Sequence, residues 1–190
     1  MQFSKFKATL ESFLCEKLIG RVKINAAVYR KTHDQTGRVW ISFDKQEILH
    51  ASTITYEMMH SKVYNQLIEE KRLKPIPYNQ DWKVMLASEK RKQLVHASDQ
   101  AEQQLMEQEI FSEYDVYNAL LHYHCLSIEQ ALNSDHTIVK AYAMFDRRLG
   151  KRKLLKLMPV TVGHPLIAKF YSIRCTIEGI RFNEKNLAES

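Results

Sequence analysis

Phe3, Phe6, Leu10, Phe13, Leu14 and Leu18 recur at helical steps, with Lys5, Lys7, Glu11, Glu16 and Lys17 largely on the other side, and this spacing predicts an amphipathic helix closed by Gly20. From Arg21 to Tyr29 the period changes to two. Val22, Ile24, Ala26 and Val28 alternate with Arg21, Lys23, Asn25 and Ala27, and Val39, Ile41 and Phe43 repeat the alternation after the turn Asp34-Gln35-Thr36-Gly37. Asp44-Lys45-Gln46 predicts a second turn into a short strand, Glu47 to His50. The expectation is a small antiparallel meander packed by helices. Trp40 falls on the face opposite Val39 and Ile41, so that face is not fully wet.

Helical spacing returns with Met58, Met59, Val63, Leu67 and Ile68, capped by Thr53 or Thr55. Lys74-Pro75-Ile76-Pro77-Tyr78 leaves helical geometry, since each proline restricts its predecessor, and residues 74–80 mark an elbow within a single domain spanning 1–190. Asp81 is the next cap. The helix it starts carries Trp82, Met85 and Leu86, runs to Val95 and resumes after Ser98 through Leu105, with the polar stretch 102–109 on the outside. Ser112 with Asp115 and Ser127 with Gln130 approach the capping-box pattern, and Ser134 precedes a stripe of Ile138, Val139, Tyr142, Phe145 and Leu149 that stops at Gly150. Pro165 opens a last helix carrying Leu166, Ile167, Phe170, Ile173 and Ile177, with Arg174 beside the stripe, and Gly179 closes it. Arg174 is expected to meet an acidic partner across the core. Beyond Phe182 the chain turns polar and is expected to fray. The fold class is α+β, with a sheet near the amino end and a mainly helical remainder.

Charge alters this picture in one place. The net charge is +6, and the ten residues Arg147–Lys156 alone carry +6, so the other 180 balance. Arg147, Arg148, Lys151, Arg152 and Lys153 are therefore the candidate binding residues, for phosphates or an acidic protein surface. Two bland explanations compete. Cations near the end of a helix that stops at Gly150 suit its dipole, and the acidic run Glu102, Glu107, Glu109, Glu113 and Asp115 is the natural counterweight. Three cysteines, Cys15, Cys125 and Cys175, form no disulfide framework and point to a reducing, cytoplasmic setting. No segment has the length or apolarity of a membrane span or secretion signal, so no membrane association is expected.

Chemistry is sparse. His122-Tyr123-His124-Cys125 concentrates metal-ligand types, but on a helix residues two apart point about 200° away from each other, and no paired Cys-x-x-Cys completes a zinc site. Glu57 and His60 are half of a di-iron pattern without the other half. No metal and no cofactor are expected. Nucleophile elbows, phosphate-binding glycine loops and dinucleotide fingerprints are missing from the sequence. A catalytic site, if there is one, would draw on His33, Asp34, His164 and Arg174. The segments Ser112–Cys125 and Ser134–Leu149 loosely match a helical DNA-binding unit, with the basic residues on phosphates.

The stretches Phe3-Ser4-Lys5-Phe6, Tyr29 through Ile41, Phe145-Asp146-Arg147-Arg148-Leu149-Gly150-Lys151-Arg152, His164-Pro165-Leu166 and Arg174-Cys175 resemble a bacterial family of conserved proteins of uncharacterised function. The resemblance covers most of the chain and implies a self-standing bacterial protein. It directs attention to His33, Asp34, Arg38, Trp40, Asp146, Arg147, Arg148, Lys151, Arg152, His164 and Arg174. The expected function is a non-enzymatic protein-interaction or regulatory role with a protein partner. The alternatives are nucleic-acid binding through 147–156 and an enzyme with a His/Asp/Arg site.

Overall fold

Helix α1 (Phe3–Glu11) buries Phe6 and Leu10 and ends well before Gly20. The computed structural model describes residues 3–28, 37–78, 81–157 and 163–180, and within it the apolar spacing of the first stretch is met by two different conformations. After Glu11 the backbone turns to pair with a distant segment. Cys15 N donates to Phe145 O at 2.9 Å and Arg147 N to Phe13 O at 2.7 Å, around a bridge between Leu14 and Asp146. These bonds take donors and acceptors that a continued helix would need. Leu14, Cys15 and Leu18 are buried all the same, through this bridge and a 3-10 turn at Glu16–Leu18.

Strands β1 (Val22–Val28), β2 (Gly37–Phe43) and β3 (Gln46–Ser52) form an antiparallel sheet in that order. The register sets Ile24, Ile41 and Leu49 in one inward row and Asn25, Trp40 and His50 in one outward row. Asp44 and Lys45 both take positive φ, 48° and 71°. That is the backbone of a two-residue turn whose twist matches the strands it joins. The turn Asp34–Gly37 lies outside the described residues except for Gly37, as does the tail beyond Ile180.

Ser52, not a threonine, caps α2 (Thr53–Glu70). Asp81 caps the short α3 (Trp82–Ala87) as its position predicts. The expected interruption near Val95–Ser98 lies earlier. Ser88 is extended (ψ 147°), accepts from Arg91 N, and starts an unbroken α4 (Glu89–Glu107). Ser98 stays helical and its hydroxyl meets His60 instead. Helices α2 and α4 bury Val63 and Leu67 against Ala97, Ala101 and Leu105, an apolar cluster separate from the main core. We refer to α2, α3 and α4 as the arm.

The main core is organised around α7 (Thr137–Ala143), in which Thr137, Ile138, Val139, Ala141, Tyr142 and Ala143 are all buried. Around it lie α5 (Glu113–Tyr123) and α6 (Ile128–Leu132), each opened by a complete capping box, then α8 (Lys151–Lys156) and α9 (Pro165–Glu178). Helix α7 ends at Ala143, and Phe145 and Leu149 reach the core from a turn. Helix α9 has Pro165 at its start and Gly179 in the left-handed region, φ 72°, at its end. The architecture is α+β, and no helix among the described residues is long and apolar enough to cross a membrane.

Candidate functional site

The basic segment begins in the turn that follows α7, and the turn is built around a buried carboxylate. Asp146 has no exposed surface. It receives Arg148 N at 2.7 Å, Arg148 Nε at 3.1 and 3.0 Å, Arg148 Nη2 at 2.7 Å and the Tyr123 hydroxyl. Arg148 also donates to Leu126 O at 2.9 Å and lies over Phe13, 4.6 Å from the ring centre. Its acidity is suppressed further by the Asp146 carboxylate, which outweighs desolvation. Burial, together with the hydrogen bond to Asp146, pushes the Tyr123 phenol well above its usual range. Arg148 is thus held by its own chain at Nε, Nη1 and Nη2, although part of its side chain stays exposed.

Other cations of the segment are also engaged. Lys151 meets Glu178 at 3.2 Å and donates to Glu178 O at 3.0 Å, and Lys153 meets Glu129 at 2.6 Å. Burial raises the pKa of Glu178, but Lys151, Arg174 and Lys17 around it more than reverse this and hold it below the ordinary range. The neutralising carboxylates are therefore Asp146, Glu129 and Glu178, not the run Glu102–Asp115, whose Glu109 pairs with Lys169 at 2.6 Å. The dipole explanation covers only part of the segment, Lys153 and Lys156 in the last turn of α8. Lys151 and Arg152 lie in the first turn of α8, where a positive charge is disfavoured. Arg147, Arg152 and Lys156 are exposed and have no ion-pair partner among the described residues.

The catalytic candidates do not converge among the described residues. His33 and Asp34 lie outside them. His164 caps α9, its Nδ1 accepting from Leu166 N at 3.1 Å while Nε2 meets Met106 O at 3.1 Å, which ties α9 to the end of α4. Arg174 lies ten residues further along α9, about 15 Å of axial rise, and is 3% exposed. Its guanidinium donates to the carbonyl oxygens of Phe145 and Leu149 at 3.1 Å and of Asp146 at 3.3 Å. Its acidic partner is Glu178, one turn on in the same helix at 3.3 Å, and not a residue across the core. A side chain four residues away on one helix face needs no tertiary partner to be within reach.

The outward sheet face holds a cluster that the resemblance pointed toward. Arg38 lies over Trp40 at 4.7 Å, binds both oxygens of Glu47 at 2.5 and 2.6 Å, and donates from Nε to His50 Nε2 at 3.1 Å. This covers part of the Trp40 ring. A cleft of about 260 Å³ runs along the β3 edge between Glu47, His50, Thr55, Glu109, Phe111 and Lys169. Its lysine and Glu109 neutralise one another.

The arm carries a surface that the spacing of the sequence did not reveal. No residue of α3 is buried. Trp82 is 58% exposed, Val84 56% and Leu86 46%, and Tyr78 just before them is 87% exposed. Trp82 and Leu86 lie on one face of α3 and Val84 on the opposite face, so the chain's own core takes neither. Trp82, Met85 and Leu86 fall within about 100° of one another, which reads as an ordinary core-facing stripe, so their spacing alone gave no signal of this exposure.

The SF0329 protein family model matches residues 2–175, most of the chain, and the chain belongs to this family. No curated protein and no solved structure matches it.

Proposed function

We propose that this member of the SF0329 protein family is a non-enzymatic protein-interaction or regulatory protein of the bacterial cytoplasm. The observation that carries the reading is the arm, whose apolar tip residues Trp82, Val84 and Leu86 are left to solvent while its own small core is complete. Large apolar side chains grouped on a surface are what partner proteins bury, and tryptophan is enriched among the residues that dominate such interfaces. The engaged states of Arg148, Arg174 and His164 support the same reading, because each bonds to other parts of the fold. Three free cysteines suit a reducing compartment.

A photo-crosslinking residue at position 82 in living cells tests this. Discrete protein adducts are expected, and Leu86→Glu should abolish them. Absence of any protein adduct, with specific turnover of a small molecule by the purified chain, would overturn the reading.

One observation favours nucleic acid as a second reading. Arg147, Arg152 and Lys156 remain exposed and without acidic partners among the described residues. Retention on immobilised DNA that falls steeply with salt, and that is lost in Arg147→Gln/Arg152→Gln, is the expected signature.

A further inference from the structure

Apart from Glu89 in its first turn, helix α4 has its charges arranged against its own dipole. Lys90, Arg91 and Lys92 lie in or next to its first turn, Asp99, Glu102 and Glu107 occupy its second half, and its last turn holds no basic residue. Placed by the helix alone, the cations would sit at the carboxyl end and the carboxylates at the amino end. Bonds within the chain relieve little of this. Lys92 meets Glu89 at 3.2 Å and Glu107 takes a hydrogen bond from Gln103 at 3.3 Å, but Arg91 and Glu102 have no ion-pair partner among the described residues.

The same charges recur with apolar residues on a single face. Ala97, Ala101 and Leu105 face the arm's core. Met106 is about 180° round the helix from Ala97 and about 100° from Leu105. Arg91, Val95, Glu102 and Met106 fall within about 60° of one another in projection, on a flank beside the buried line. All four are exposed, Val95 and Met106 at 38% each. This exposed flank of α4 reads basic, apolar, acidic, apolar along its length, with the Arg91 and Glu102 charges about 16 Å apart. The sequence has no lysine or arginine between Lys92 and Lys140, so the acidic end is not diluted by nearby cations along the chain.

We infer that two copies of the chain pair through their arms, with this exposed flank of α4 laid antiparallel on the same flank of a second copy. A face with opposite charges at its two ends matches itself when turned around, and a two-fold axis makes both contacts at once and closes the assembly. The antiparallel arrangement also sets each helix dipole against the opposite end of the other, which relieves the conflict that α4 carries alone. Val95 and Met106 lose exposure in the process. This names the partner under the interaction reading above and rests on it, but the two fail separately.

Light scattering and sedimentation of the full chain over a dilution series give the test. A mass near twice 22.4 kDa is expected. Arg91→Glu and Glu102→Arg, each folded by circular dichroism, should each weaken the dimer about tenfold or more by setting like charges opposite one another at two symmetric places. The double variant R91E/E102R restores opposite charges and should restore the dimer. A monomeric wild-type chain, a dimer that neither single variant weakens, or a double variant that stays dissociated would each overturn the inference. A monomer that still forms adducts from position 82 would leave the interaction reading standing with a different partner.

Discussion

The buried carboxylate of Asp146 is gripped by the guanidinium of Arg148, two residues later in the same turn, with Nη2 to Oδ2 at 2.7 Å and Nε to Oδ1 at 3.1 Å. The pair joins three parts of the fold, since Tyr123 comes from α5, Phe13 from the turn after α1, and Asp146 bridges to Leu14. Arg148→Ala leaves the carboxylate inside with only the Tyr123 hydroxyl and backbone to face. A loss of about 3 kcal/mol in unfolding free energy is expected. Urea denaturation followed by circular dichroism measures it, and a change below about 1 kcal/mol would show that water replaces the guanidinium without difficulty.

Arg174 makes the corresponding contact from the other side of the same turn. Three carbonyl oxygens, of Phe145, Asp146 and Leu149, depend on it. Arg174→Leu removes their donors and leaves Glu178 without its closest helix partner, and should cost about 3 kcal/mol. Arg174→Lys keeps the charge but cannot fork to three acceptors, so an intermediate loss is expected. Equal losses for both variants would contradict the role of the fork.

Glu113 supplies a pH dependence with a definite sign. Its side chain lies where a Cβ on residue 37 would overlap it, and burial raises its pKa, against a weak opposing bond from Thr53. A carboxyl group raised in the folded state stabilises the fold below its unfolded value, and that contribution is lost as pH rises through the folded value. Glu113→Gln should therefore gain on wild type as pH is raised from 4 to 7 (about the range in which a raised carboxyl titrates). Gly37→Ala should push the carboxylate out into water and return its titration toward normal, which carboxyl NMR reads directly. An unchanged Glu113 titration in that variant would sink the account.

His164 separates a structural from a catalytic role. It holds Leu166 N and Met106 O, so His164→Ala should cost about 1 kcal/mol as a lost cap. His164→Asn keeps an acceptor for Leu166 N and should recover part of that. A catalytic histidine would show no such recovery in activity. Denaturation midpoints of the two variants decide it.

Among the cations of 147–156, stability should sort by partner. Lys153→Gln and Lys151→Gln remove pairs with Glu129 and Glu178, whereas Arg147→Gln and Arg152→Gln remove none among the described residues. The second pair should leave the melting temperature unchanged while lowering any retention on DNA. A fall in melting temperature for Arg152→Gln would mean that it has a structural partner.

Much of the local structure was legible in the sequence because its causes are local. Period-two alternation set the strands and their inward rows, and serine and aspartate side chains set the helix starts at Asp81, Ser112 and Ser127, where each bonds its own next turn. Pro165 and Gly179 bounded α9 for the same reason. Burial raises the thiols of Cys15 and Cys175 above their ordinary values. Tertiary contact decided the rest. Helix α1 stops at Glu11 because Leu14 pairs with Asp146, more than a hundred residues away. The basic segment is half quenched by carboxylates that lie near it only after folding, at Glu129 and Glu178. Trp82 and Leu86 share a helix face by their spacing, and only the fold leaves that face exposed. A helix shows which residues share a face, but whether that face meets a core or is left to water depends on what the remaining chain places against it.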